Sequence, residues 1–171
     1  MFDPVEILRV LAKHDVDFIL VGGFSAIVQG ADIHTGDVDV VHSRDPGNWV
    51  RLLKALRELD AWYRLRTDKK LYPNESHLVT TGHQLLTTTH GNLDVRGKIG
   101  DDLTYDSLTR DAQPEEIAPG LLVKTLSLEK YVQLKEQLSR DKDKAVLPTL
   151  RATLQEKRKL ERRKTPNDPT N

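Results

Sequence analysis

The run Val21-Gly22-Gly23-Phe24-Ser25 is followed, after residues 26–36, by Asp37-Val38-Asp39-Val40. A glycine pair ends one apolar stretch, and two carboxylates stand two residues apart in the next. On a strand such residues point to the same face, so Asp37 and Asp39 can aim at one point. Two acidic groups that close repel, and burial raises their pKa values unless a cation sits between them. Mg²⁺ suits such a place, because it takes hard oxygen ligands and keeps water or phosphate in its other positions. The glycines upstream permit the close backbone approach that a triphosphate requires.

A third carboxylate follows in Gly91-Asn92-Leu93-Asp94-Val95, again between apolar residues. If that segment pairs beside the Asp37–Asp39 strand, three carboxylates converge. Three can hold two divalent ions, one on nucleotide phosphates and one on an attacking oxygen. On these residues the chain resembles the DNA-polymerase-β-like nucleotidyltransferase superfamily. Within it, the resemblance is to the small prokaryotic branch of minimal, abortive-infection and toxin–antitoxin nucleotidyltransferases. The matching elements are Val21-Gly22-Gly23, Asp37-Val38-Asp39 and Leu93-Asp94-Val95, and the likeness extends over roughly residues 15–145.

The resemblance implies an α/β fold, a mixed-sheet nucleotidyltransferase domain with a helical C-terminal extension. Asp37, Asp39 and Asp94 are then the ligands of two Mg²⁺ ions, and Gly22, Gly23 and Ser25 cradle the phosphates of an NTP. A local reading of Ser25 as a helix-start cap stands beside this. Members of the abortive-infection type also carry a late-helix Lys and an Arg-x-Lys-Asp turn beside the nucleotide. Here these are Lys135, Arg140, Lys142 and Asp143, with Lys135 expected to assist the leaving pyrophosphate and Asp143 to orient it. Taken only as surface residues, they would form helical charge pairs worth tenths of a kcal/mol. The chain departs from the family pattern before the first Asp, where Thr35-Gly36 stands in place of Ser or Lys.

The order of elements agrees. Asp3-Pro4 starts a helix ending near His14, Val16–Val21 reads as a strand, and Phe24–Gln29 as a short helix stopped by Gly30. Asp37–Val41 is a second strand, and Pro46–Leu59 an amphipathic helix with Trp49, Leu52, Leu53, Leu56 and Leu59 on one side. Residues 83–89 and 92–96 form a hairpin around His90-Gly91. Residues 97–120 look turn-rich, with short segments at 116–118 and 121–124. Helices at 126–138 and about 141–163 follow, the second interrupted by Pro148. This gives a core over 1–124, a helical extension packed on it over 125–164, and a disordered tail over 165–171.

Composition excludes several classes. Hydrophobic residues make up 37% and charged residues 30%, as in a globular domain, and no apolar run or leader suggests membrane insertion or export. The expected location is therefore the cytoplasm. With no Cys there is neither a disulfide framework nor a thiolate zinc site. No P-loop, His-Glu-x-x-His or Gly-x-Ser-x-Gly motif occurs. The six histidines lack metal-ligand spacing and read as turn or edge residues, with His34 and His42 flanking the acidic strand. Net charge is zero, but residues 151–171 carry Arg151, Lys157, Arg158, Lys159, Arg162, Arg163 and Lys164 against Glu156, Glu161 and Asp168. Such a segment can track a phosphate backbone or lie as a solvated helix end.

The function implied is transfer of an NMP from an NTP to a hydroxyl acceptor. An RNA 3′ end, a protein side chain or a small molecule such as an aminoglycoside would all fit these residues; the resemblance implies an RNA acceptor, tRNA first, as for the toxin of a toxin–antitoxin module with an antitoxin partner. The alternative is a non-catalytic, antitoxin-like module on the same fold that binds nucleotide or protein.

Overall fold

Asp3 accepts a hydrogen bond from the Glu6 amide at 3.0 Å, and Pro4 takes the first helical position, where a missing N–H costs nothing. The helix they open, α1 (Pro4–Lys13), buries Ile7, Leu8, Val10 and Leu11. The computed structural model describes residues 1–66, 68–138 and 140–164. It continues with β1 (Phe18–Val21), α2 (Gly22–Ile27), β2 (Asp37–His42), α3 (Pro46–Glu58), β3 (Trp62–Tyr63) and α4 (Glu75–Leu78). Then come β4 (His83–Thr88), β5 (Gly91–Arg96), β6 (Lys98–Ile99), β7 (Leu103–Thr104) and α5 (Tyr105–Leu108). The chain ends with β8 (Ala112–Ala118), β9 (Leu121–Leu126), α6 (Leu128–Gln137) and α7 (Asp141–Lys164).

Seven strands make one mixed sheet in the order β3-β4-β5-β2-β1-β9-β8. The β2–β5 and β1–β9 pairs are parallel and the others antiparallel. Strand alternation gives the sheet two coats. Phe18, Leu20, Val38, Val40, Leu93 and Val95 face α1 and α3, meeting Ile7, Leu8, Leu11, Leu52 and Leu56. Ile19, Val21 and Val41 face the other way, onto Leu128, Tyr131 and Val132 of α6 and Leu147 and Leu150 of α7. Each fully buried Leu here contributes roughly 1.5–3 kcal/mol. On this second face β5 places only Asn92, Asp94 and Arg96. Those polar residues extend the second coat into a cleft.

Several boundaries differ from expectation. The first strand begins at Phe18, and Gly22 already belongs to α2. The turn-rich reading of 97–120 gives way to a hairpin, in which β8 and β9 pair antiparallel around Gly120. Pro114 argues against a strand in sequence, yet β8 lies at the sheet edge, where a missing N–H is tolerated. β9 runs past residue 124, where the core was expected to end, so its last residues belong to the sheet. α7 continues through Pro148 to Lys164. The tail expected over 165–171 lies outside the described residues.

Candidate active site

β2 carries Asp37 and Asp39 on the face opposite Val38 and Val40. Parallel pairing with β5 sets Asp37 beside Asn92, Asp39 beside Asp94 and Val41 beside Arg96. The two acidic strands are thus neighbours in register, and Asp39 and Asp94 are 8% and 3% exposed. From the other side, Val21 pairs with Asp39, which brings the glycine turn onto the carboxylate. Gly22 has φ +70°, and a Cβ there would lie 2.3 Å from Asp39 Oδ2. Only glycine combines that backbone with that approach.

The cleft has a volume of about 740 Å³. Gly22, Gly23, Asp37, Asp39, Asp94, Lys135, Arg140, Lys142 and Asp143 all line it. At its far wall, the α6–α7 corner, Asp143 is fully buried. It accepts from Lys135 Nζ and from Arg140 Nε, each at 2.5 Å. Burial pushes the Asp143 carboxyl up, but these two hydrogen bonds outweigh it and hold the group below its ordinary range. Lys135 also lies over the Tyr131 ring, 5.4 Å from its centroid. Burial, with Asp39, Asp143 and Asp37 nearby, pushes the Tyr131 hydroxyl up and keeps it neutral.

Other expected residues sit differently. Ser25 is fully buried and donates to the Gly22 carbonyl at 2.7 Å, so its hydroxyl is turned away from the cleft and caps no helix. His42 lies on the opposite face of β2, buried, with Nδ1 3.0 Å from the Ser43 carbonyl. His34 does line the cleft. Thr35 donates to Asp37 Oδ1 at 3.0 Å, so the hydroxyl that precedes the acidic pair is used to hold it.

Three nitrogen-bearing side chains that sequence reasoning passed over, Arg96, Arg64 and His83, complete the floor. Arg96 donates to Asp39 Oδ1 through Nη2 at 2.8 Å and Nε at 3.2 Å, and its Nη2 is 3.6 Å from Asp94 Oδ2. Arg64 Nη1 donates to Asp94 Oδ1 at 2.6 Å. His83 Nε2 lies 2.9 Å from Asp94 Oδ2. Burial raises Asp94, but His83 and Arg64 prevail and hold it low. For Asp39 burial wins: the group is pushed up, Arg96 opposing and Asp37 and Asp94 adding to the rise. A signal for Arg96 was present, since Asp94-Val95-Arg96 repeats the i, i+2 spacing of Asp37-Val38-Asp39.

The donor chemistry fits a divalent cation. Asp39, Asp94 and His83 offer ligand atoms within 4.8 Å of one another, and Asp37 stands beside them on the same strand face. Among the described residues no donor reaches Asp39 Oδ2, and that oxygen is open to the cleft. A second, shallower groove of about 380 Å³ adjoins through His83 and Leu85, with Tyr63, Leu65, Arg66, Leu71, His77 and Gln84 as its remaining lining.

The mixed seven-stranded sheet with its helices has the fold of solved nucleotidyltransferase structures. No family model and no curated protein matches the chain. Among solved structures, a candidate nucleotidyltransferase from Thermotoga maritima superposes with a TM-score of 0.52 at 24% identity, covering 91% of this chain and 96% of that one. ANT(2″)-Ia in complex with adenylyl-2″-tobramycin gives 0.52 at 13%, covering 86% and 85%. The solution structure of the antibiotic-resistance factor ANT(2″)-Ia gives 0.54 at 13%, covering 87% and 80%. Among the described residues no helix is long and apolar enough to cross a membrane.

Proposed function

We propose that this chain transfers a nucleoside monophosphate from an NTP to a hydroxyl acceptor. The observation that carries the proposal is the β2–β5 register, which sets Asp39 beside Asp94 on the cleft floor under the glycine turn. In the reaction the acceptor oxygen bonds to the α-phosphorus. The bond from that phosphorus to the bridging oxygen breaks, its electron pair leaves with pyrophosphate, and the hydroxyl proton passes to water. Asp37 and Asp39 would hold Mg²⁺, which when bound neutralises phosphate charge and orients the triphosphate. Gly22 and Gly23, which line the cleft beside Asp39, would bring the turn's backbone against the phosphates. Lys135 and Arg140, steadied by Asp143, present positive charge where the pyrophosphate develops negative charge.

The groove beyond Asp94 supports an RNA 3′ end, tRNA included, as the acceptor. Tyr63, His77 and Arg66 supply rings and positive charge, and among its described lining residues there is no carboxylate to attract a polycationic sugar. With the family resemblance, this supports the role of a toxin held in check by an antitoxin partner. Arg64 and Arg96, which pair with Asp94 and Asp39 without any metal, favour the second reading, a nucleotide-binding module without catalysis.

Incubation with each labelled NTP, Mg²⁺ and total RNA separates these. Label should appear on RNA and vanish with Asp39→Asn. Nucleotide binding without NTP consumption would instead establish the non-catalytic module.

A further inference from the structure

How many divalent ions the acidic floor can take depends on which carboxylate oxygens are already occupied. Both oxygens of Asp94 are. Oδ1 accepts from Arg64 at 2.6 Å, and Oδ2 faces His83 at 2.9 Å and Arg96 at 3.6 Å. Arg64 is not a surface chain that has swung inward. Its Nη1 also donates to the Leu86 carbonyl at 3.2 Å, and its backbone N–H donates to the Leu85 carbonyl at 3.1 Å. The guanidinium is thus tied to β4 as well as to Asp94. An ion on Asp94 Oδ1 would have to break a short charge-assisted bond, and one on Oδ2 would sit beside the Arg96 guanidinium.

The other two carboxylates differ. Arg96 occupies only Oδ1 of Asp39, and Oδ2 opens toward the glycine turn and the cleft. Thr35 occupies only Oδ1 of Asp37. Each therefore keeps one oxygen free of protein donors among the described residues, on one strand face two residues apart.

We propose that the cleft takes one divalent ion, on Asp37 and Asp39, and that Arg64, fixed on Asp94, supplies the positive charge that a second ion would otherwise bring to the acceptor side. The proposal rests on the nucleotidyl-transfer reading and replaces the two-ion expectation. Arg64 is a positioning residue: it acts through Asp94 and sets the charge of the floor. The competing arrangement, an ion shared by Asp39, His83 and Asp94, would sit beside the Arg96 guanidinium, which is 2.8 Å from Asp39 Oδ1 and 3.6 Å from Asp94 Oδ2.

Manganese counts the ions without relying on turnover. The full chain is titrated with Mn²⁺ in the presence of a saturating α,β-methylene NTP analogue, and free Mn²⁺ is followed by electron paramagnetic resonance. One ion per chain is expected, with affinity falling at least tenfold in Asp39→Asn and changing less than threefold in His83→Asn. Arg64→Met should uncover Asp94 and add a second, weaker ion, whereas Arg64→Lys, which keeps the charge, should stay at one. Two ions on the wild-type chain would overturn the proposal and leave the transferase reading standing. A tenfold loss in His83→Asn would overturn it in favour of the shared site. No analogue-dependent Mn²⁺ uptake would overturn both readings. Arg64→Met remaining folded by circular dichroism and still binding one ion would remove Arg64 from the explanation. The wild-type count tests the proposal even if that variant fails to fold.

Discussion

Gly22→Ala should damage the protein in two separable ways, and Gly120→Ala should reproduce only one of them. Both glycines hold a left-handed backbone, φ +70° and +77°. An L-residue pays about 1–2 kcal/mol for that conformation, which in a domain of this size lowers the melting temperature by roughly 2–8 °C. Any loss of unfolded-chain entropy is common to both substitutions and cancels in the comparison. At Gly120 a new Cβ meets nothing within 4 Å, so strain is the whole effect. At Gly22 it meets Asp39 Oδ2 at 2.3 Å, Cγ at 2.8 Å and Cβ at 2.9 Å. Carbon pairs rest at about 3.5–4.0 Å, so the carboxylate must retreat by roughly 1 Å. Arg96 grips its other oxygen and resists the movement. A displacement of that size at a reacting centre costs on the order of 100-fold in rate. The assays are urea unfolding and Mg²⁺-dependent NTP turnover for both variants. Gly120→Ala should lose stability and keep turnover; Gly22→Ala should lose more stability and about 100-fold of turnover. Equal unfolding midpoints with equal turnover would show that Gly22 does not press on Asp39, and the packing argument for the turn would fail.

Asp39→Asn should lower Mg²⁺-dependent nucleotide turnover by at least ~100-fold while circular dichroism stays unchanged, because a neutral amide cannot replace a carboxylate on the ion; wild-type turnover would remove the metal assignment. Asp143→Asn should cost roughly 3 kcal/mol near neutral pH, the low end for breaking a buried pair because Arg140 is half exposed. Since the folded Asp143 carboxyl is held below its unfolded value, its stabilisation is present above about pH 4 and is lost as pH falls through the folded value. Urea midpoints of the variant should therefore fall less steeply with acid than those of the wild type, and parallel curves would contradict the ion pair. In filter binding to tRNA, truncation after Gln155 should flatten the log–log salt dependence by only about 0.7–1.4, one or two phosphates' worth, because Lys157, Arg158 and Lys159 pair with Glu115, Glu129 and Glu156 and Arg162 also has a partner. A larger change would mean that these residues leave their partners for RNA.

What could be read from sequence was whatever a strand displays locally. Asp37-Val38-Asp39 and Leu93-Asp94-Val95 announce themselves because strand period two and apolar flanks both act within a few residues. The same rule, applied once more to Asp94-Val95-Arg96, would have found the cation lying between Asp39 and Asp94. Arg64 gives no such sign. It follows a strand of two residues, too short for any periodicity, and reaches Asp94 only because β3, β4 and β5 pair side by side. His83 looks like an edge residue in sequence; the β4–β5 register sets it opposite Arg96 and within reach of Asp94. Ser25 misled for the converse reason, since a hydroxyl beside a glycine turn can point into a core as readily as into a cleft. The basic end of α7 has partners that lie far back in the chain and leave no local sign, Lys157 reaching Gln29 and Glu115. Carboxylates meant to act together must share a strand or neighbouring strands, which leaves a periodic trace. The cations that balance them can come from any element long enough to reach, and they leave none. For this cleft the charge balance, and with it the number of ions it can take, was therefore decided by pairings beyond the range of local pattern.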